Sequence, residues 1–162
     1  MLIGPPGNCT VSVDLIFVLD ASGSIDSSGF EQMKQLVSMI VDSLDMESGS
    51  ARVALLTFSS AVDAQFNLST YTTRADVKSA VAQLTYSAGR TNTGDALAHV
   101  RQVMLQPAAG ARDDVPNVVV VMTDAGSNDQ PATLVRCFDI LTFTLCMITN
   151  FTATSVDKHN HK

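Results

Sequence analysis

The sequence predicts an α/β protein with a doubly wound, mostly parallel sheet flanked by helices, and three observations carry that expectation. Apolar runs at 13–19, 51–58 and 116–124 are nearly continuous, as strands buried on both faces of a parallel sheet must be. Between them lie segments whose apolar residues recur at helical spacing. The first and third runs also end in polar residues, at Asp20 and Asp124, where open α/β sheets hold their ligands.

Taken in order, the first strand is VDLIFVL, followed by a turn carrying Asp20, Ser22, Gly23 and Ser24. Phe30, Met33, Val37, Ile40, Val41 and Leu44 then mark one face of an amphipathic helix over about 28–45, and Gly49 follows its end. ARVALLTF reads as a second buried strand. Beyond it Val62, Ala64, Phe66 and Leu68 alternate with Asp63, Gln65 and Asn67, the pattern of a half-exposed edge strand that points Asn67 to solvent.

Thr73 is placed to cap a helix bearing Val77, Ala80, Val81 and Leu84, with Asp76 as its capping-box partner at the third helical position. Ala96, Leu97, Val100, Val103 and Met104 form the apolar face of a further helix that stops before Pro107 and the loop 108–114. The run 116–124 is the third buried strand, and 139–149 reads as one more β-rich segment. The expected organisation is a lead-in over 1–11, one domain over 12–149 and a polar tail over 150–162. His159 and His161 belong to that solvated tail.

Composition narrows the class of function. With 162 residues, 46% of them hydrophobic, the chain suffices for one ordinary core. A net charge of −6 with ten Lys and Arg spread along the chain leaves no electrostatic footprint for nucleic acid. No apolar run approaches the roughly 18 residues of a membrane span. Sequons at Asn8, Asn67 and Asn150 point to export, although no secretory signal is visible, so the expectation is an extracellular fragment of a longer secreted chain. Gly4-Pro5-Pro6-Gly7 has the form of a single collagen-like triplet turn. Three cysteines leave at least one unpaired within the chain: Cys9 bonded to Cys137 or Cys146 would tie the ends together, and buried free thiols are the other reading.

The chemistry concentrates in three loops. Asp20, Ser22 and Ser24 lie at alternate positions on a tight turn, a hard all-oxygen corner suited to Mg2+, Mn2+ or Ca2+ rather than to a thiophilic metal. The same residues also read as a strand leading into a helix cap, with Ser24 or Asp26 accepting backbone N–H groups. Ala88-Gly89-Arg90-Thr91-Asn92-Thr93-Gly94 brings a hydroxyl to the same rim, or else a turn plus an N-cap by Thr91 or Thr93. With Asp124, the constellation holds two carboxylates and three hydroxyls.

DASGS after a strand, GRTNTG before a helix and VVVVMTDAGS after a buried strand together resemble the three loops of a von Willebrand factor type A domain, over about residues 12–130. The likeness is closest to the A domains of matrix proteins such as matrilins and collagen VI chains. The resemblance implies a Rossmann-like sheet and a metal-ion-dependent adhesion site. Ser22, Ser24 and Thr91 would bind the cation directly, and Asp20 and Asp124 mostly through coordinated waters. Gly23 would let its loop turn, and Gly89 and Gly94 would frame the threonine loop. The implied partner is a protein ligand offering Asp or Glu, such as a matrix protein or collagen.

Two departures from the family stand out. Ala125 follows Asp124 where the family usually has Gly, with Gly126 next. The residues after Gln130 do not follow the family pattern, so the expected fold is incomplete at its C-terminal end. Two other functions compete with a binding module. In one, Asp20 is the nucleophile of a Mg2+-dependent phosphoryl transfer, yet Ser22 stands where such an enzyme needs a second acid and no Lys lies near the three loops. In the other, the domain is a spacer, or a defective truncated product.

Overall fold

The computed structural model describes residues 12–123 and, for its backbone, the segment Thr144–Asn150. Its elements are β1 (Val13–Asp20), α1 (Asp26–Asp42), β2 (Ala51–Phe58), β3 (Val62–Phe66), α2 (Arg74–Ala82), α3 (Thr93–His99), a π-helical turn (Val100–Met104), a 3-10 turn (Pro107–Ala109), β4 (Asn117–Thr123) and β5 (Thr144–Asn150). The five strands run in the order β3-β2-β1-β4-β5, with only the edge strand β3 antiparallel to its neighbour. The predicted doubly wound α/β sheet is therefore the fold, and β1 is its central strand. The chain crosses from β1 to β2 on one side and returns to β4 on the other, so strand order reverses beside β1.

Alternation along β1 divides the core. Leu15, Phe17 and Leu19 pack with Phe30, Met33, Val37 and Val41 of α1 and with Val77 and Val81 of α2. Ile16 and Val18 face the other way, against Ala96 and Leu97 of α3 and Val100 and Met104 of the π turn. Both faces of β1 are thus covered, as a continuous apolar strand requires.

Several boundaries differ from expectation for identifiable reasons. α1 begins at Asp26, earlier than 28, because Asp26 sits at φ 56° with its Oδ1 accepting the Gly29 N–H at 2.7 Å. It ends at Asp42 because Ser43 and Leu44 donate instead to the carbonyls three residues back, which tightens the last turn. β3 ends at Phe66 rather than continuing to Leu68, since Asn67 N–H donates to Thr70 Oγ1 at 3.0 Å and the Thr70 N–H donates back to Asn67. That turn sends Leu68 into the core on the sheet face opposite Phe66, where strict alternation would have put both on one face. Asn67 is consequently a half-buried turn residue, not a strand residue aimed at solvent.

The helix predicted through Met104 changes winding at Val100, and the Leu105 N–H reaches the Val100 carbonyl at 2.9 Å. One residue is gained per turn, so Met104 stays buried while Val103 turns outward, 42% exposed. Thr73 does cap α2, accepting from the Asp76 N–H at 3.2 Å and donating to Asp76 Oδ2 at 2.7 Å. The expected 139–149 segment carries β5, which begins at Thr144, extends one residue beyond that segment and pairs in parallel with β4 from Asn117↔Thr144 to Thr123↔Asn150.

Two buried charges inside the predicted apolar patterns went unremarked by periodicity. Lys34 of α1 is 8% exposed and donates to Glu31 at 2.9 Å and to the carbonyls of Ala82 and Leu84, which close the end of α2. Asp14 on β1 has no exposed surface. Its Oδ1 accepts from Arg112 Nη2 at 2.6 Å and Nε at 2.9 Å, and its Oδ2 from the Arg112 backbone N–H at 2.8 Å. The same guanidinium reaches the carbonyls of Gly49, Ser50 and Val13, so one side chain gathers three chain segments at the amino end of the sheet. At the surface, Glu47 is held below the usual carboxylate range first by its own backbone N–H and then by Arg74.

Truncating one member of a buried, fully bonded ion pair leaves the other charge uncompensated, at about 3–5 kcal/mol. Asp14→Ala and Arg112→Ala are each expected to lower the free energy of unfolding by an amount in that range, with Arg112→Ala at least as large because three carbonyls also lose a donor. Equilibrium unfolding in urea measures both, and a loss under 1 kcal/mol for either would refute the assignment.

Candidate metal-binding site

The site lies at the carboxyl end of β1, beside β4. The register that pairs Leu19 with Met122 sets Asp20 next to Thr123. Asp20 has no exposed surface, and both of its oxygens are engaged: Oδ1 accepts the Ser22 N–H at 2.8 Å, and Oδ2 accepts the Thr123 hydroxyl at 2.7 Å. Hydrogen bonding to the charged form is what allows an ionised carboxylate to sit at such a depth. It also fixes the rotamer of Asp20 and the direction of the turn after it.

That turn brings Ser22 Oγ and Ser24 Oγ within 3.1 Å of each other. Ser22 is buried and Ser24 exposed, so the pair runs from the interior to the rim. Two ligands at adjacent corners of an octahedral Mg2+ with bonds of about 2.1 Å lie about 3 Å apart. The serine spacing matches such an edge, and the donors are hard oxygens. Among the described residues no group of three His, Cys, Asp or Glu side chains forms a metal cluster, so a thiolate or imidazole centre is not built there.

The threonine loop is fastened to this turn by backbone. Gly23 N–H donates to the Gly89 carbonyl at 2.8 Å, Ala88 N–H to the Ala21 carbonyl at 2.9 Å, and Ser22 and Gly89 form a parallel bridge. Tyr86 adds its hydroxyl to the Ser22 carbonyl at 3.1 Å. Ala88 adopts φ 54°, a left-handed conformation that costs a residue with a Cβ about 1–2 kcal/mol and that these bonds hold in place.

Thr91 follows, 9% exposed, at the end of that loop. Neither Thr91 nor Thr93 caps α3: Asn92 does, its Oδ1 accepting the Asp95 N–H at 3.4 Å and its Nδ2 donating to Asp95 Oδ2 at 2.7 Å.

The glycines act differently from what the sequence implies. Gly23 has no left-handed φ, and a Cβ there would meet only ordinary contacts, the nearest at 3.6 Å to the Gly89 carbonyl oxygen. A turn-forming glycine is thus not required at that position, whose part is the N–H it donates. Gly89 is needed for space, because a Cβ would lie 2.7 Å from Ser60 Oγ, 2.8 Å from Ser59 Oγ and 3.0 Å from Ser59 Cβ. Gly94 is a buried residue of the first turn of α3, inside the helix and not in the loop.

Sequence reasoning overlooked the residues that support the site. Ser59 and Ser60, just after β2, hold the threonine loop from behind: the Ser59 carbonyl accepts the Asn92 N–H at 3.0 Å, and Ser60 Oγ accepts the Arg90 N–H at 2.9 Å. Thr123 was legible only as the residue before an acid; its neighbour across the sheet could not be read from one strand. Asp124 lies outside the described residues, as do Asn8, Cys9, Cys137, His159 and His161. Cys146 and Asn150 are on β5, described for its backbone only.

Comparisons with known proteins agree with this fold. Residues 14–159 match the von Willebrand factor type A domain. Human matrilin-4 is 42% identical over 120 residues, covering 72% of this chain and 19% of that protein. The human collagen alpha-1(XX) chain is 35% identical over 135 residues, covering 82% of this chain and 10% of that one. The chain thus spans a small part of the curated relatives it matches. Among solved structures, proximal thread matrix protein 1 from the mussel byssus, with a zinc-occupied MIDAS motif, superposes with a TM-score of 0.79 at 24% identity, over 88% of this chain and 39% of that one.

Two substitutions probe the scaffold of the site. Gly89→Ala is expected to destabilise by about 1–3 kcal/mol, because Ser59 and Ser60 are pinned by hydrogen bonds and cannot swing aside freely. Thr123→Val keeps the shape but deprives Asp20 Oδ2 of its donor, for an expected loss of about 1–3 kcal/mol. Thermal unfolding reads both, and a neutral Thr123→Val would show that the Asp20 carboxylate does not depend on that bond.

Proposed function

Because the chain belongs to the von Willebrand factor type A domain family, we propose that it is a metal-ion-dependent protein-binding module that captures an acidic side chain of a protein ligand through a divalent cation. The observation that carries this reading is the hydroxyl pair of Ser22 and Ser24 at 3.1 Å, above a buried Asp20 whose orientation is fixed by Ser22 N–H and Thr123. In it Ser22, Ser24 and Thr91 ligate through hydroxyl oxygen, while Asp20 and Asp124 act through coordinated waters. When bound, the cation supplies an electrophilic corner to which a carboxylate oxygen can add.

Each residue has a definite task. Neutral hydroxyls in direct contact leave the positive charge little compensated, which favours an incoming carboxylate over a neutral carbonyl. Asp20 orders the coordinated water without neutralising the centre directly, and the Ser22 N–H keeps it turned toward the site. Gly89 and the two serines behind it hold the threonine loop at the distance the serine turn requires. The preferred cation in this proposal is Mg2+, with Mn2+ or Ca2+ as substitutes.

Ser22 occupies the place where an aspartyl phosphotransferase needs its second acid. Lys34 is committed to Glu31 and the end of α2, and Lys78 is paired with Asp42 at 2.7 Å. The matrilin and collagen relatives support a place in the extracellular matrix, with a matrix protein or collagen as partner.

A cation that binds only the native state raises stability by RT ln(1 + [L]/Kd), about 2.7 kcal/mol at one hundred times Kd. For a domain of this size that is a rise in Tm of about 5–10 °C. Millimolar Mg2+ or Mn2+ is expected to produce such a rise over EDTA in the parent protein, and little or none in Thr91→Ala or Asp20→Ala. An identical melting curve with and without cation in the parent would rule the function out.

A further inference from the structure

Arg90 stands out among the basic residues. Of those described, Lys34 is bonded to Glu31, Arg52 to the Gly110 carbonyl, Arg74 to Glu47, Lys78 to Asp42 and Arg112 to Asp14, and Arg101 is also engaged. The guanidinium of Arg90 is exposed and has no partner among the described residues. Its backbone, by contrast, is clamped on both sides: its own N–H donates to Ser60 Oγ at 2.9 Å, and the N–H of Asn92 to the Ser59 carbonyl at 3.0 Å. A free cationic head thus stands on a fixed base, one residue from Thr91. Asp95, the nearest acid along the chain, is occupied with the Asn92 cap.

Charge balance gives this placement a consequence. The chain carries a net charge of −6, which opposes the approach of an acidic ligand. In the proposed shell Asp20 and Asp124 act on the cation through coordinated waters, so its open position stays electrophilic at contact while their two charges offset its pull at longer range. Arg90 adds an exposed positive charge one residue from Thr91. A guanidinium also presents a planar fork of donors that fits a carboxylate in a bidentate manner.

We propose that Arg90 is a specificity-determining residue that binds a second carboxylate of the ligand, selecting acidic segments with two Asp or Glu residues close together over segments with one. The inference rests on the acid-capture reading of the site and adds the class of ligand. The first carboxylate is held at the cation and the second at Arg90. Because the pair is exposed, its contribution is modest and sensitive to salt, a preference of about two- to fivefold.

Two capped peptides test this, Gly-Glu-Gly-Glu-Gly and Gly-Glu-Gly-Gln-Gly, titrated by NMR into the parent protein, Arg90→Gln and Arg90→Lys in Mg2+ and in EDTA. The parent is expected to prefer the diacidic peptide in Mg2+ about two- to fivefold, less so at high salt. Arg90→Gln is expected to lose the preference while binding the monoacidic peptide as the parent does and keeping its Mg2+-induced rise in Tm; Arg90→Lys restores part of it. An unchanged preference in Arg90→Gln overturns the role of Arg90 alone. Failure of the parent to bind either peptide in a Mg2+-dependent way overturns acid capture, and this inference with it.

Discussion

Everything at the carboxyl end of the sheet depends on one buried carboxylate. Asp20 ends the central strand with no exposed surface, and an ionised group at that depth is tolerated only because both its oxygens are bonded, to the Ser22 N–H and the Thr123 hydroxyl. Those two bonds reach in different directions. One folds the chain back on itself into the serine turn; the other locks β1 to its neighbour across the point where strand order reverses. The turn then offers its backbone to the threonine loop, and the threonine loop leans on the two serines after β2. Three segments distant in sequence are therefore held by short backbone and hydroxyl contacts around a single charge.

The opposite end of the same strand solves a similar problem by a different route. Asp14 is as deeply buried as Asp20, but it is paired with an arginine whose remaining donors satisfy carbonyls on the neighbouring segments. A fully neutralised ion pair is suited to a structural staple, since it leaves no residual attraction for a ligand. Asp20 instead has only neutral donors, so its charge stays uncompensated within the described residues. The contrast separates a carboxylate that holds the fold together from one that, in the proposed function, serves a cation. Sequence position alone does not make that distinction, since both lie in one strand six residues apart.

Much of the fold was legible because its signals are local. Continuous apolar runs identified the inner strands, and Phe30, Met33, Val37 and Val41 marked α1 by their spacing. Thr73 with Asp76 marked the start of α2. Where the reading slipped, a local irregularity overrode the periodicity: the turn at Asn67 diverted Leu68 to the other face, and the π turn after His99 exposed Val103. Lys34 and Asp14 passed as ordinary polar positions, because burial of a charge depends on partners 48 to 98 residues away.

By itself the sequence determined the class of fold and supplied the proposed donors and the loops that carry them, because strand hydrophobicity, helix periodicity and hydroxyl-rich turns are properties of contiguous residues. Tertiary structure decided which of those groups meet. It brought Thr123 to Asp20, placed Ser59 and Ser60 behind the threonine loop, gave the α3 cap to Asn92 rather than to either threonine, and left Arg90 without a partner among the described residues. Each of these rests on the register between strands and on loops packed across the end of the sheet. Such contacts join residues far apart along the chain, and no local pattern encodes them.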